Sequence, residues 1–150
     1  MARFKFKLDG LLKLREFKEN QLKVELGKLL QEIEETKSII LQLNIDLDEG
    51  YDAHSKVLYS GPGVKMLQFF PEYFQGKRED IKNKENLIHA LNKKMEAKRE
   101  ELALARGEVK IVENLKEKKM IQFTKEKNKK DMEKIEDQLS MTRSSERNNI

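Results

Sequence analysis

Apolar residues return along this chain at alternating steps of three and four. In the first third Leu22, Leu26, Leu29, Ile33, Thr36, Ile40, Leu43 and Leu47 keep that spacing, which aligns one narrow seam along an α-helix. Past the middle, Ile81, Ile88, Leu91, Met95, Leu102, Ala105, Val109, Val112 and Phe123 follow a second seam, with Lys84, Lys98, Lys116 and Lys119 completing its ladder. So narrow a seam cannot cover a globular core, so each must close on a partner helix.

Between the seams stands a breaker, Ser60-Gly61-Pro62-Gly63. Proline fixes φ and lacks an amide donor, while glycine opens backbone conformations closed to other residues. Two seams joined by one tight breaker can fold back on each other and leave water without a second chain. The expected fold is therefore all-α, a two-helix antiparallel coiled-coil hairpin with a longer second helix, in a single domain over 1–150. A helix over about 4–58, a turn over about 59–65 and a helix over about 73–139 are expected. Pro71 leaves room for a short helical piece to residue 72, or else occupies the first turn of the second helix. The tail over 140–150 loses the repeat and gathers Ser, Arg and Asn, so fraying is expected there. A parallel homodimer of an interrupted helix competes with the hairpin, which predicts a monomer when free. A bend near Pro62 sets the register: Leu8 beside Lys116, Leu47 beside Lys77, Tyr51 beside Tyr73, and an overhang past Lys119.

Composition supports solvated helix over packed globule. Of 150 residues 39% are charged, two are proline and none is tryptophan, and mean hydropathy is -0.79. Disorder would scatter the apolar residues, which here keep helical registration over many turns. The net charge of +4 is small beside 31 basic and 27 acidic side chains, largely interleaved, and does not single out nucleic acid. There is no cysteine, and neither a secretory signal nor a membrane-spanning run is read, so the expected location is the cytosol.

Six of the ten aromatic residues, Tyr51, Tyr59, Phe69, Phe70, Tyr73 and Phe74, fall around the expected turn. They either plug the turn or present a docking surface, since aromatic rings supply large contact area at low entropy cost. At the other end Phe4, Phe6 and Phe17 face Met120, Ile121 and Phe123, as an end-cap or a second docking site. The lysine-rich stretch from Lys116 to Lys134 reads as a solvated face, with steering toward an acidic partner as the sharper alternative. His54 and His89 are expected to be exposed and have no metal-ligand spacing. Gly76-Lys77-Arg78 lacks the upstream glycine and the Ser or Thr of a phosphate loop. No catalytic residue, cofactor or metal site is expected, and the chain is not read as an enzyme.

The opening Phe4-Lys-Phe6-Lys-Leu8-Asp-Gly-Leu11-Leu12-Lys-Leu14-Arg15-Glu16, followed by a heptad helix, resembles the FliJ family of flagellar export proteins. With it go the Tyr51 region and the aromatic entry to the second helix. The resemblance implies a stalk-like adaptor of type III protein export, located in the cytoplasm and peripherally associated with the export apparatus at the inner membrane. It implies insertion into the hexameric flagellar export ATPase through Phe4, Phe6, Leu8, Leu12 and Arg15, with Met120, Ile121 and Phe123 beside them. It further implies contact with the cytoplasmic domain of the membrane export gate through Tyr51, Phe70, Tyr73, Phe74 and Ile81, and leaves export chaperones as further partners. The chain departs from the family pattern at Lys77, Asp80 and Pro71. Alternatives are the stalk of a virulence-type type III secretion system, a basic coiled-coil nucleic-acid binder and a plain spacer; nucleic acid is not expected as a partner.

Overall fold

The computed structural model describes residues 3–61 and 64–149, and among them only helices and short connections occur. Helix α1 spans Asp9–Ser60 and α2 spans Val64–Asn148, 52 and 85 residues respectively. Contacts divide the chain into two compact units, Met1–Glu19 with Leu104–Ile150 (unit 1) and Asn20–Ala103 (unit 2). In both, α1 and α2 pair antiparallel. Within unit 1 Asp9, Arg15 and Glu19 meet Lys116, Glu108 and Arg106 in turn. Within unit 2 Glu25, Asp46 and His54 meet Lys98, Lys77 and Phe70.

The three-four ladder is what each unit buries. Leu22, Ile33, Thr36, Leu43 and Leu47 of α1 and Leu91 and Leu102 of α2 are buried in unit 2, as are Leu12, Ala105, Val109 and Val112 in unit 1. Burial of a side chain of this size stabilises by about 1.5–3 kcal/mol at most. The seam is also crossed by charge. Lys116 Nζ lies 3.0 Å from Asp9, Lys98 Nζ 2.9 Å from Glu25, and Lys77 Nζ 3.2 Å from Asp46. The lysine stems cover apolar surface while each ammonium reaches a carboxylate on the other helix. Thr36 joins the core by bonding its hydroxyl back to the Glu32 carbonyl at 2.7 Å.

Several boundaries differ from the sequence reading. The first helix starts at Asp9, not near residue 4. Residues 3–6 run outside any helix, with Phe4 and Phe6 half-buried and Arg3 and Lys5 exposed, a two-residue alternation that suits an extended strap. A bond from the Asp9 amide to the Phe6 carbonyl closes the strap onto α1. Ser60 ends α1, and Gly61 follows at φ +69°, the left-handed position that favours glycine at a helix C-terminus. The bend assigned to Pro62 and Gly63 lies outside the described residues. The second helix is continuous from Val64 through Pro71 and does not begin near residue 73. The tail is not frayed: α2 runs to Asn148, and within it the Thr142 hydroxyl bonds back to the Gln138 carbonyl at 2.9 Å.

Candidate functional site

Unit 2 gathers the aromatic residues next to the helix ends. Two stacked pairs on α2, Phe69 with Tyr73 at 5.7 Å and Phe70 with Phe74 at 5.9 Å, each span Pro71. Pro71 cannot donate to the Leu67 carbonyl one turn back, and an interior proline usually breaks a helix at a cost of about 3 kcal/mol. The i,i+4 ring pairs bridge that missing bond. Phe70 is buried at 8% exposure, whereas Phe69 is 61% exposed. Thus the ladder has one face in the seam and one in water.

Across the seam Tyr51 packs on Phe74 at 4.5 Å, and Arg78 both donates to the Tyr51 hydroxyl and lies over its ring. Tyr51 thus packs on Phe74 and Arg78 and not on Tyr73, while the register expected from a bend near Pro62 is kept by neighbouring pairs such as His54 with Phe70 and Asp46 with Lys77. Tyr73 instead bonds its hydroxyl to the Asp46 carbonyl at 3.3 Å. His54, expected to be exposed, is half-buried edge-on to Phe70 at 5.0 Å and to Phe74 at 6.0 Å. Ile81 sits half-buried in the seam.

Two features hold this cluster, and neither was read from the sequence. Gly50 faces Tyr73 and Phe74 so closely that an added Cβ would lie 2.8 and 2.9 Å from their ring carbons. Only a residue without a side chain lets both rings reach α1. The second is Asp46, which accepts from Gln42 at 3.0 Å and from Lys77 at 3.2 Å. These bonds, Gln42 first, hold the Asp46 carboxyl below the usual carboxylate range. Asp46 in turn raises Lys77, whose ammonium also stands over the Tyr73 ring at 5.5 Å. Lys77, anomalous beside an apolar pattern, thus has a defined place: it ties α2 to α1 beneath Tyr73.

Unit 1 distributes its candidates otherwise. Leu12 is buried at 6% exposure in a cluster with Val109 and Val112, and Phe6 packs against it. Phe4 lies 5.6 Å from Phe123, which carries the contact between strap and α2 one turn beyond Lys119. Arg15 donates to the Glu108 carbonyl at 3.0 Å. Left at the surface are Leu8, Met120 and Ile121, 39%, 46% and 50% exposed. Every described residue after Phe123 is exposed.

Charge separates the units as well. Unit 1 contains 18 basic and 12 acidic side chains, unit 2 contains 13 and 15. No described helix is long and apolar enough to cross a membrane.

Compared with known proteins, the chain matches a family model described as the flagellar FliJ protein over residues 4–149. No curated protein matches it. No solved structure matches it.

Proposed function

The chain belongs to the FliJ family of flagellar proteins, and from that premise we propose that it is a stalk-like adaptor of flagellar type III protein export, joining the hexameric export ATPase to the membrane export gate. The family match over nearly the whole chain carries this reading. The antiparallel coiled coil that the sequence predicted supports it, because a FliJ-type stalk is expected to be built that way.

In this reading the paired terminal portions of both helices, within unit 1, enter the ATPase ring, and the overhang past Phe123 is not part of that contact. A single asymmetric stalk in a symmetric ring touches its subunits unequally, and it biases their conformations if those contacts discriminate between states. Leu8, Met120 and Ile121 supply exposed apolar contact, while Leu12, Phe6, Arg15 and the Phe4–Phe123 pair hold the end in shape. The protein changes the assembly or turnover of the ATPase and performs no chemistry of its own. Its place is the cytoplasmic side of the inner membrane, attached peripherally to the export apparatus, with export chaperones as additional partners.

Unit 2 meets the cytoplasmic domain of the gate protein through Tyr51, Tyr73 and the exposed edge of the ladder at Phe69, with Phe70, Phe74 and Ile81 supporting them from the seam. Tyr73→Ala tests this. Circular dichroism should show nearly unchanged helicity while pull-down of the gate domain weakens; a spacer would lose stability and keep its capture. On the ATPase side, a purified sample that hydrolyses ATP by itself would sink the non-enzymatic assignment.

A further inference from the structure

The overhanging part of α2 carries an apolar stripe that the hairpin does not use. At 3.6 residues per turn, Thr124, Asn128 and Met132 fall on one face, and Ile135, Leu139 and Thr142 continue it. This face lies away from the ladder that ends at Phe123. Its large members, Met132, Ile135 and Leu139, are all between 50% and 57% exposed. The stripe holds no charged residue between Glu117 and Glu146, although the helix around it is densely charged. Its two threonines are less polar than they read, because each hydroxyl bonds back into the helix, Thr124 to the Met120 carbonyl at 3.0 Å and Thr142 to the Gln138 carbonyl at 2.9 Å. Their methyl groups therefore widen the apolar strip.

Charge is sorted by face. Lys118, Lys125, Lys129 and Arg143 border one side of the stripe, with Glu136 among them; on the other side Asp131 stands next to it, and Lys127 and Lys134 lie further round the helix. The acids Glu126, Glu133 and Asp137 lie on the opposite side of the helix. What looks in one dimension like a diluted lysine run is, beside this stripe, a basic rim along one side of an uncharged seam.

We infer that this stripe, from Thr124 to Thr142, is a docking seam for an amphipathic helix of another protein whose apolar seam is flanked by acidic side chains. The width of the face and its rim select that occupant. A narrow strip with an asparagine inside it is the pattern of a helix-to-helix seam. A helix lying in a membrane surface needs a broad apolar face, and nucleic acid would be met by cations rather than by a charge-free strip. A second copy would bring a basic rim against a basic rim. The inference extends beyond the ring and gate reading, and its probe contains neither component.

The full chain is titrated, by fluorescence anisotropy, into a labelled synthetic heptad helix with a leucine seam and glutamate flanks, and into the same helix with lysine flanks. The glutamate-flanked helix should bind, and the lysine-flanked one should bind at least about tenfold more weakly, a difference near 1.4 kcal/mol. Ile135→Glu should abolish most of the capture, and Lys125→Glu with Lys129→Glu should weaken it and flatten its salt dependence. Lys130→Glu, on the far side, should leave it unchanged. Circular dichroism on each variant establishes that α2 remains helical, which keeps a loss of capture distinct from a loss of fold. The inference is overturned if the glutamate-flanked helix does not bind, if both helices bind alike, if Ile135→Glu binds like the unsubstituted chain, or if anionic phosphatidylglycerol vesicles or duplex DNA are captured in preference to the helix.

Discussion

Unit 1 and unit 2 both collect aromatic and apolar residues where the chain has ends to close, yet they dispose of them differently. In unit 1 the strap folds Phe4 and Phe6 onto α2, Leu12 sinks into the seam and Arg15 is tied to a backbone carbonyl. In unit 2 a glycine and an ion pair draw the rings against α1 while the outer edge of the ladder stays in water. An aromatic-rich sequence segment is thus not by itself a binding surface. What decides is whether the opposite helix offers a hole for the side chain, as Val109 and Val112 frame for Leu12, or only a flat backbone, as Gly50 offers to the Tyr73 ring.

The sharpest way to test the buried side of this contrast is to truncate one seam residue and one outer residue of the same helix turn. Leu12→Ala should cost about 2–3 kcal/mol, at the lower end for buried leucine because a two-helix seam is open to water at its margins. Leu14→Ala, at a position 64% exposed, should change stability by less than about 0.5 kcal/mol. Thermal unfolding of the two variants checks both; equal costs would mean that the seam is not what holds unit 1.

Glycine gives the corresponding test in unit 2. Gly27 has nothing within 4 Å of an added Cβ, whereas Gly50 meets two rings. Gly27→Ala should therefore stabilise by roughly 0.5–1 kcal/mol through helix propensity. Gly50→Ala has the same propensity gain but must displace Tyr73 and Phe74, and overpacking of about 1–3 kcal/mol leaves it destabilised or neutral. A gain for Gly27→Ala and no gain or a loss for Gly50→Ala in denaturant titration are the expected result.

How far these features are legible in the sequence follows from the range of the interactions. The seams, the antiparallel pairing and the near register could be read because heptad spacing is local and repeats many times; Lys116, expected beside Leu8, lies 3.0 Å from Asp9. The strap was readable too, since Phe4 and Phe6 alternate with cations at a period of two and not three or four, but leucines just downstream made helix the easier reading. Gly50 was not readable. A glycine inside a helix looks like a weak point until α2 lays its rings on it, and that contact joins residues more than twenty positions apart. Pro71 was misread for a similar reason: its helix survives through the two ring pairs that straddle it, whereas local rules see only the missing amide. The family resemblance supplied the proposed function; neither heptads nor aromatic clusters specify an export apparatus.

Solution pH reaches the tie that underlies the unit 2 cluster. The folded pKa of Asp46 lies below its unfolded value near 3.8, so its contribution is present above that value and is lost as pH falls through the lower folded one. Lys77 is raised from 10.5, so its contribution is complete below that value and is lost as pH rises through the higher folded one. Both side chains are half-buried with water still reaching the pair, and the effect is correspondingly slight. Asp46→Asn should flatten the acid limb of the stability profile below about pH 4 and lower the Lys77 pKa, which NMR titration of the lysine ε resonances can follow. An unchanged Lys77 would show that the pair does not hold in solution.

The smallest expected effect concerns the Tyr73 hydroxyl. It reaches the Asp46 carbonyl at 3.3 Å, a long bond to an oxygen that also lies within the hydrogen-bond ladder of α1. Tyr73→Phe should therefore cost about 0.5 kcal/mol or less, since the acceptor keeps its helical partner and no buried polar group is stranded. The substitution separates ring from hydroxyl. Because the hydroxyl is turned toward α1, Tyr73→Phe should retain gate capture that Tyr73→Ala loses. Loss of capture in both variants, with helicity intact in both, would mean that the hydroxyl leaves Asp46 to meet the partner, and that unit 2 opens on docking instead of presenting a finished surface.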